Sequence, residues 1–245
     1  MHNRVHPKRV SLSEMKQQLH RSMKKQLLIS VLFFTCAVFS QRDSLQIGER
    51  YLEDQGYFGI TYNQLFDQPT QVSESGFSYG LNVGYMKDIP LVKSGRVALA
   101  IGIGYAFDTF NHGLKVSEVN NEIVFETDPN LTSNNLKTHA LEIPLEFRWR
   151  TSTANKFKFW RIYTGLKLSY NLKNTFAYTT AKESFKYSNI NRFQKVQYGI
   201  TLSAGYAAFN FNLYYGLTPL LKNARLGATE ISAKILKMGL VFYIL

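Results

Sequence analysis

The sequence predicts an all-β fold: an eight-stranded antiparallel up-and-down transmembrane β-barrel of the outer-membrane type. Three observations predict it. Apolar residues alternate with small or polar ones in eight segments. The connections between segments alternate short and long, and the aromatic residues gather at segment ends, as belts at the lipid headgroup level do. Composition agrees, with aromatics at 14% and charged residues at only 19%, against a usual charged share of about 25%. Mean hydropathy is −0.18. No window reaches the roughly 18 apolar residues that a spanning helix needs, which excludes a helical membrane bundle.

The first forty residues read as an address. Residues 1–22 are basic and polar without apolar periodicity, and are expected to be an over-called, unstructured start, with Met15 or Met23 as initiator in place of Met1. Residues 23–40 have the form of a signal peptide: Lys24 and Lys25, then the apolar run LLISVLFFTCAVF, then Ser40, after which cleavage is expected. Residues 41–54 follow as a short periplasmic segment, and 55–245 as the barrel. The first forty residues hold seven Lys/Arg and one Glu, so the formal charge falls from +12 to +6 on export, and the nucleic-acid partner that a basic chain invites loses its main support. Cys36 leaves with the signal. No disulfide or thiolate metal site then remains, and His112 and His139 are too few for an imidazole cage, so no metal or other cofactor is expected.

The eight strands, in order, fall at 58–62, 77–85, 97–107, 141–150, 160–170, 196–206, 209–217 and 236–244. In the third, Val97, Leu99, Ile101, Ile103, Tyr105 and Phe107 alternate with Ala and Gly. In the fourth, Leu141, Ile143, Leu145, Phe147 and Trp149 alternate with Glu142, Pro144, Glu146, Arg148 and Arg150. The phase of the last strand slips near Ile235, which predicts a bulge. Short connections lie at 88–95, 151–159 and 206–209, long ones at 67–76, 109–137, 171–193 and 218–229. That layout puts both termini on the short-turn, periplasmic side. A soluble lipocalin-type barrel shares the periodicity with its apolar face inward. Gly and Ala on the non-greasy face decide for the membrane version, because a cramped lumen needs small side chains.

An eight-stranded barrel is filled by its own side chains, so no open pore is expected. Glu142, Glu146, Arg148, Arg150, Arg161 and Lys167 share the lumen phase of two adjacent strands and predict a salt-bridge network that fixes the register. The turn at 151–159 gathers charge on the periplasmic rim. Arg148, Trp149, Arg150, Lys156, Lys158, Trp160 and Arg161 form a candidate surface for an acidic partner, with interfacial anchoring as the simpler role. Asp108, His112 and Ser117 share the longest loop, but no nucleophile turn or oxyanion signature accompanies them, so no catalytic residue is assigned. Gly102 and Gly104 lie mid-strand, where a dinucleotide motif fails on context.

The stretch LEIPLEFRWRTST at 141–153, followed by KFWRIYTGLK at 158–167, resembles the PorT family of outer-membrane barrels. The resemblance implies a non-enzymatic component of the type IX protein secretion system, acting by binding other components of that system. It implies no cofactor and no small-molecule substrate. The alternative is a structural or adhesive barrel whose long loops meet the outside.

Overall fold

The computed structural model describes residues 55–244, apart from 70, 71, 73–75, 121, 152–159, 182, 207 and 208. The expected signal peptide, the segment before it and the short periplasmic segment lie outside the described residues.

Eight strands close the barrel. They are β1 (Gln55–Phe66), β2 (Tyr79–Pro90), β3 (Val97–Asn111), β6 (Leu131–Arg150), β7 (Trp160–Thr180), β9 (Val196–Tyr206), β10 (Phe209–Gly216) and β13 (Lys234–Ile244). Neighbours in sequence pair antiparallel all the way round. β1 meets β13 from Gly56↔Ile244 to Phe66↔Lys234, so no barrel edge is left open. Closure follows from the solvent: in hydrocarbon every amide must find a partner within the sheet. The other elements belong to the long-connection end. β4 (Leu114–Val119) and β5 (Glu122–Thr127) form a hairpin, β8 (Ser184–Ser188) adds to the end of β7, and β11 (Arg225–Leu226) pairs with β12 (Thr229–Glu230).

The apolar phase faces outward. Ile60, Val83, Ile101, Ile103, Leu145, Ile162, Leu166, Ile200 and Phe211 are all exposed, while Ala98, Ala100, Ala106, Asn82 and Ser203 on the opposite phase are buried. Aromatic rings gird both ends of the apolar band. Tyr62, Phe77, Tyr79, Phe107 and His139 form a chain with centroid spacings of 5.1–6.4 Å at the long-connection end. Trp160–Tyr206 and Phe209–Phe242 pair at the short-turn end at 5.4 and 5.6 Å.

Two expectations need correction. The last strand carries no bulge: its register against β1 runs unbroken through Leu65↔Ile235 and Gln64↔Leu236. Ile235 is an inward residue that happens to be large, because it joins an apolar cap above the lumen. The irregularities lie instead between β6 and β7, at Leu131/Ser133 and His139/Ala140. Secondly, 109–137 and 171–193 are largely strand. β6 and β7 run for 20 and 21 residues, about twice the 9–11 residues that cross a bilayer, so the sheet continues well beyond the apolar band.

At that far end the inward phase turns from small and polar to large and apolar. Leu65, Phe110, Leu136, Phe176 and Ile235 point into the axis, and Leu114, Val116 and Phe125 of the β4–β5 hairpin close over them with Leu220, Leu221 and Ile231. This dry cap is the protein's main apolar core.

Candidate functional site

The lumen is layered. At the short-turn end Asp88 of β2 accepts from Arg148 Nη1 at 2.6 Å and Arg150 Nη1 at 2.5 Å. Arg148 also donates through Nε to Glu146 at 3.0 Å and through Nη1 to Gln55 at 3.3 Å. Its guanidinium lies 4.6 Å from the Tyr163 ring centroid and 5.6 Å from that of Tyr243. Arg150 Nε donates to the Gly95 carbonyl at 2.7 Å. Gly95 can present that carbonyl because it takes φ +67° in the turn before β3, a region that side chains with a Cβ avoid.

Above this layer Tyr57, Met86, Ala100 and Val241 pack together. The Tyr57 ring occupies the space that Gly84 and Gly104 leave open: a Cβ at Gly84 would stand 2.6 Å from that ring. A second charged layer follows. Lys167 pairs with Glu142 at 3.0 Å, and Lys237 with Asp108 at 2.6 Å, while Glu142 also lies 3.9 Å from Lys237. Asn63 donates to Asp108 at 3.0 Å, and both ammonium groups sit over Tyr214, at 5.5 and 5.6 Å.

All six residues expected to form the lumen network are buried in the barrel, and five of them are held by the contacts above. Sequence reasoning missed Asp88, Asp108 and Lys237. Each lies on the inward phase of its strand, which was the available signal. The alternation fades before Asp88 and Asp108, which the sequence pattern places in connections, and the expected slip at Ile235 obscures Lys237. Their addition changes the electrostatics: among the described residues four buried carboxylates (Asp88, Asp108, Glu142, Glu146) face five buried cations (Arg148, Arg150, Arg161, Lys167, Lys237). A nearly balanced set is what a desolvated interior requires.

The candidate rim surface is corrected in part. Arg148 and Arg150 are 0% exposed and Arg161 is 4% exposed, because the strand phase turns them inward. They cannot meet a partner outside. Trp149 and Trp160 do face outward, at 43% and 60% exposure. Lys156 and Lys158 lie outside the described residues.

The loop residues with catalytic side chains are engaged separately. Asp108 is held by Lys237 and Asn63 in the lumen. His112 accepts the Leu114 amide on Nδ1 at 3.1 Å beneath the cap, edge-on to Phe176. Ser117 sits on β4, its hydroxyl buried without a partner among the described residues. Two gaps among the described lumen residues, one beside Tyr57 and Tyr243 and one beside Asp108 and Tyr214, are each about 20 Å³, space for about one water.

A family model described as outer membrane protein beta-barrel domain matches residues 39–222. No curated protein matches the chain. Among solved structures the chain is similar to Ail, the attachment invasion locus protein of Yersinia pestis, with 15% identity over 78% of this chain and 98% of that one and a TM-score of 0.30. The same protein in complex with the heparin analogue sucrose octasulfate gives 14% identity over the same shares and a TM-score of 0.33. A triple mutant of the Rhodopseudomonas blastica porin gives 10% identity over 79% of this chain and 100% of that one, with a TM-score of 0.21. At such TM-scores these likenesses carry no functional argument.

Proposed function

Because this chain belongs to the outer membrane protein beta-barrel domain family, and so resides in the outer membrane, we propose that it works by binding and not by conduction or catalysis, as an accessory component of the type IX protein secretion apparatus. The observation that carries the first half is the filled axis: among the described residues two ion-paired layers and an apolar cap occupy it, and the gaps beside Tyr57 and beside Asp108 each have space for about one water. The second half rests on the stretches at 141–153 and 158–167, which resemble the PorT family. In this reading both termini and the short turns face the periplasm. With three arginines turned inward, the partner surface on that rim reduces to outward Trp149 and Trp160 and to the turn between them, which carries Lys156 and Lys158.

Deletion of the gene is the test of the secretion role. Export of secreted proteins should fail and return with the wild-type copy, and a copy carrying Lys156→Glu with Lys158→Glu should insert normally but restore export poorly. Normal export in the deletion strain rejects the reading. Purified barrel in planar bilayers should show no steady conductance; stable open channels would reject the binding role at its root.

One observation favours a second reading, surface adhesion. β6, β7 and the β4–β5 hairpin extend past the apolar band and carry their own core, a packed platform where the sequence predicts long loops. Protease treatment of whole cells that removes this end and weakens attachment, with export intact, would select adhesion.

A further inference from the structure

We propose that the lumen binds one ordered water molecule between its two charged layers, held by Tyr57, Asn82, Glu146, Lys167 and Thr201, and that this water joins the layers into a single hydrogen-bonded network. These five side chains line the gap of about 20 Å³ beside Tyr57. Glu146 belongs to the short-turn layer through Arg148, and Lys167 to the next layer through Glu142. Three of the five bring polar atoms that the protein leaves unsatisfied. The Tyr57 hydroxyl, Asn82 Oδ1 and the Thr201 hydroxyl are buried without a hydrogen-bond partner among the described residues, on side chains only 7%, 7% and 3% exposed. An unpaired buried polar atom loses its hydration with nothing in return. Three such atoms around one gap call for a shared partner.

Glycines make the room. Glu146 of β6 faces Gly165 of β7, which faces Thr201 of β9, so no side chain stands between the carboxylate and the hydroxyl in that row. A Cβ at Gly59 would collide with Asn82 Oδ1, and one at Gly104 with the Tyr57 hydroxyl. The inward positions around the gap thus carry the one residue type that lets these polar atoms reach the axis.

The donor set chooses the occupant. Lys167 gives Glu142 one N–H at 3.0 Å and has two more to give. Glu146 meets Arg148 through Oε2, which leaves Oε1 to accept. A metal cation would lie against the Lys167 ammonium, and an anion against the Glu146 carboxylate and the Asn82 oxygen. Water donates to those oxygens and accepts from the O–H and N–H groups, and the gap has space for about one. With the water in place, contacts run unbroken from Asp88 through Arg148, Glu146, the water, Lys167, Glu142 and Lys237 to Asp108.

The test uses the full mature chain in detergent micelles, with Tyr57→Phe and Thr201→Val as variants that remove one hydroxyl each and keep the shape of the side chain. If the hydroxyls are unpaired, removing either should leave the Tm unchanged or raise it. If they bind the water, each variant should keep the wild-type heat-modifiable gel shift and lower the Tm by about 2–4 °C, and the double variant should lose less than the sum, because both changes act on one water. A crystal structure of the wild-type chain should show a density peak within about 3.2 Å of Tyr57 Oη and Asn82 Oδ1, with no anomalous signal there after soaks in thallium(I) acetate or sodium bromide. An unchanged or raised Tm, a fully additive double variant, or thallium or bromide at the peak would each overturn the proposal.

Discussion

Replacing Asp88 by Asn tests the short-turn charged layer most sharply. Asp88 is fully buried and accepts from two guanidinium groups that are themselves fully buried. Removing one partner of a buried ion pair costs about 3–5 kcal/mol, because a charge is left without compensation in a medium that cannot hydrate it. Asn keeps one acceptor oxygen, Arg148 keeps Glu146 and the Tyr163 face, and Arg150 keeps the Gly95 carbonyl. The lower end of that range, about 3 kcal/mol, is therefore expected for Asp88→Asn, and about 5 kcal/mol for Asp88→Ala. Native domains have about 5–15 kcal/mol in total, so the Asn variant should still fold. Denaturant unfolding from phospholipid vesicles, followed by fluorescence of the outward Trp149 and Trp160, measures the change. Adding Arg150→Met to Asp88→Asn should recover about 1–3 kcal/mol of the loss, since the stranded charge is then gone. A loss below about 0.5 kcal/mol, the size seen for solvated pairs, would refute the claim that this layer is desolvated.

The remaining predictions concern the far end and the sheet. Burial pushes the His112 imidazole from 6.5 down to about 4. The unfolded chain therefore takes up the proton first as pH falls. The stabilisation from neutral His112 is complete above pH 6.5, is lost between 6.5 and about 4, and totals about 3 kcal/mol; a His112→Phe variant should lose that slope in a pH series of denaturation midpoints. The exposed Lys234–Asp67 pair should contribute nothing measurable, so Asp67→Asn should leave the midpoint where it is. At Gly239 a Cβ would collide with the Ile60 carbonyl of β1 and stand 2.7 Å from Thr61 Cα. Gly239→Ala should force β1 and β13 apart at a cost of about 1–3 kcal/mol in the same unfolding assay.

The eight strands were legible in the sequence because lipid on one side and a narrow lumen on the other impose period two on every crossing. The same phase made Glu142, Glu146 and Lys167 visible as inward charges. It also turned Arg148, Arg150 and Arg161 inward, yet their closeness in sequence to the turn at 151–159 suggested an exposed rim. Strand phase outweighs sequence proximity here, because a one-residue change of face would place a guanidinium in hydrocarbon. Asp88 is not legible as an inward charge because it lies two residues before Pro90, where alternation fades into a turn. Lys237 is hidden in the sequence because its inward neighbour Ile235 is large and apolar, which looks like a change of phase in one dimension.

Alternation, connection lengths and aromatic placement by themselves determined the architecture of this chain, since each is a local response to the bilayer and needs no knowledge of distant residues. Only the tertiary structure decided which inward charges meet: Asp88 and Arg148 are 60 residues apart, and Lys237 and Asp108 are 129 apart. It also decided that the long connections continue as sheet and close into an apolar cap. Both outcomes come from circular closure, which sets β1 against β13 and β6 against β7 and so brings side chains face to face across an axis that a linear pattern does not contain.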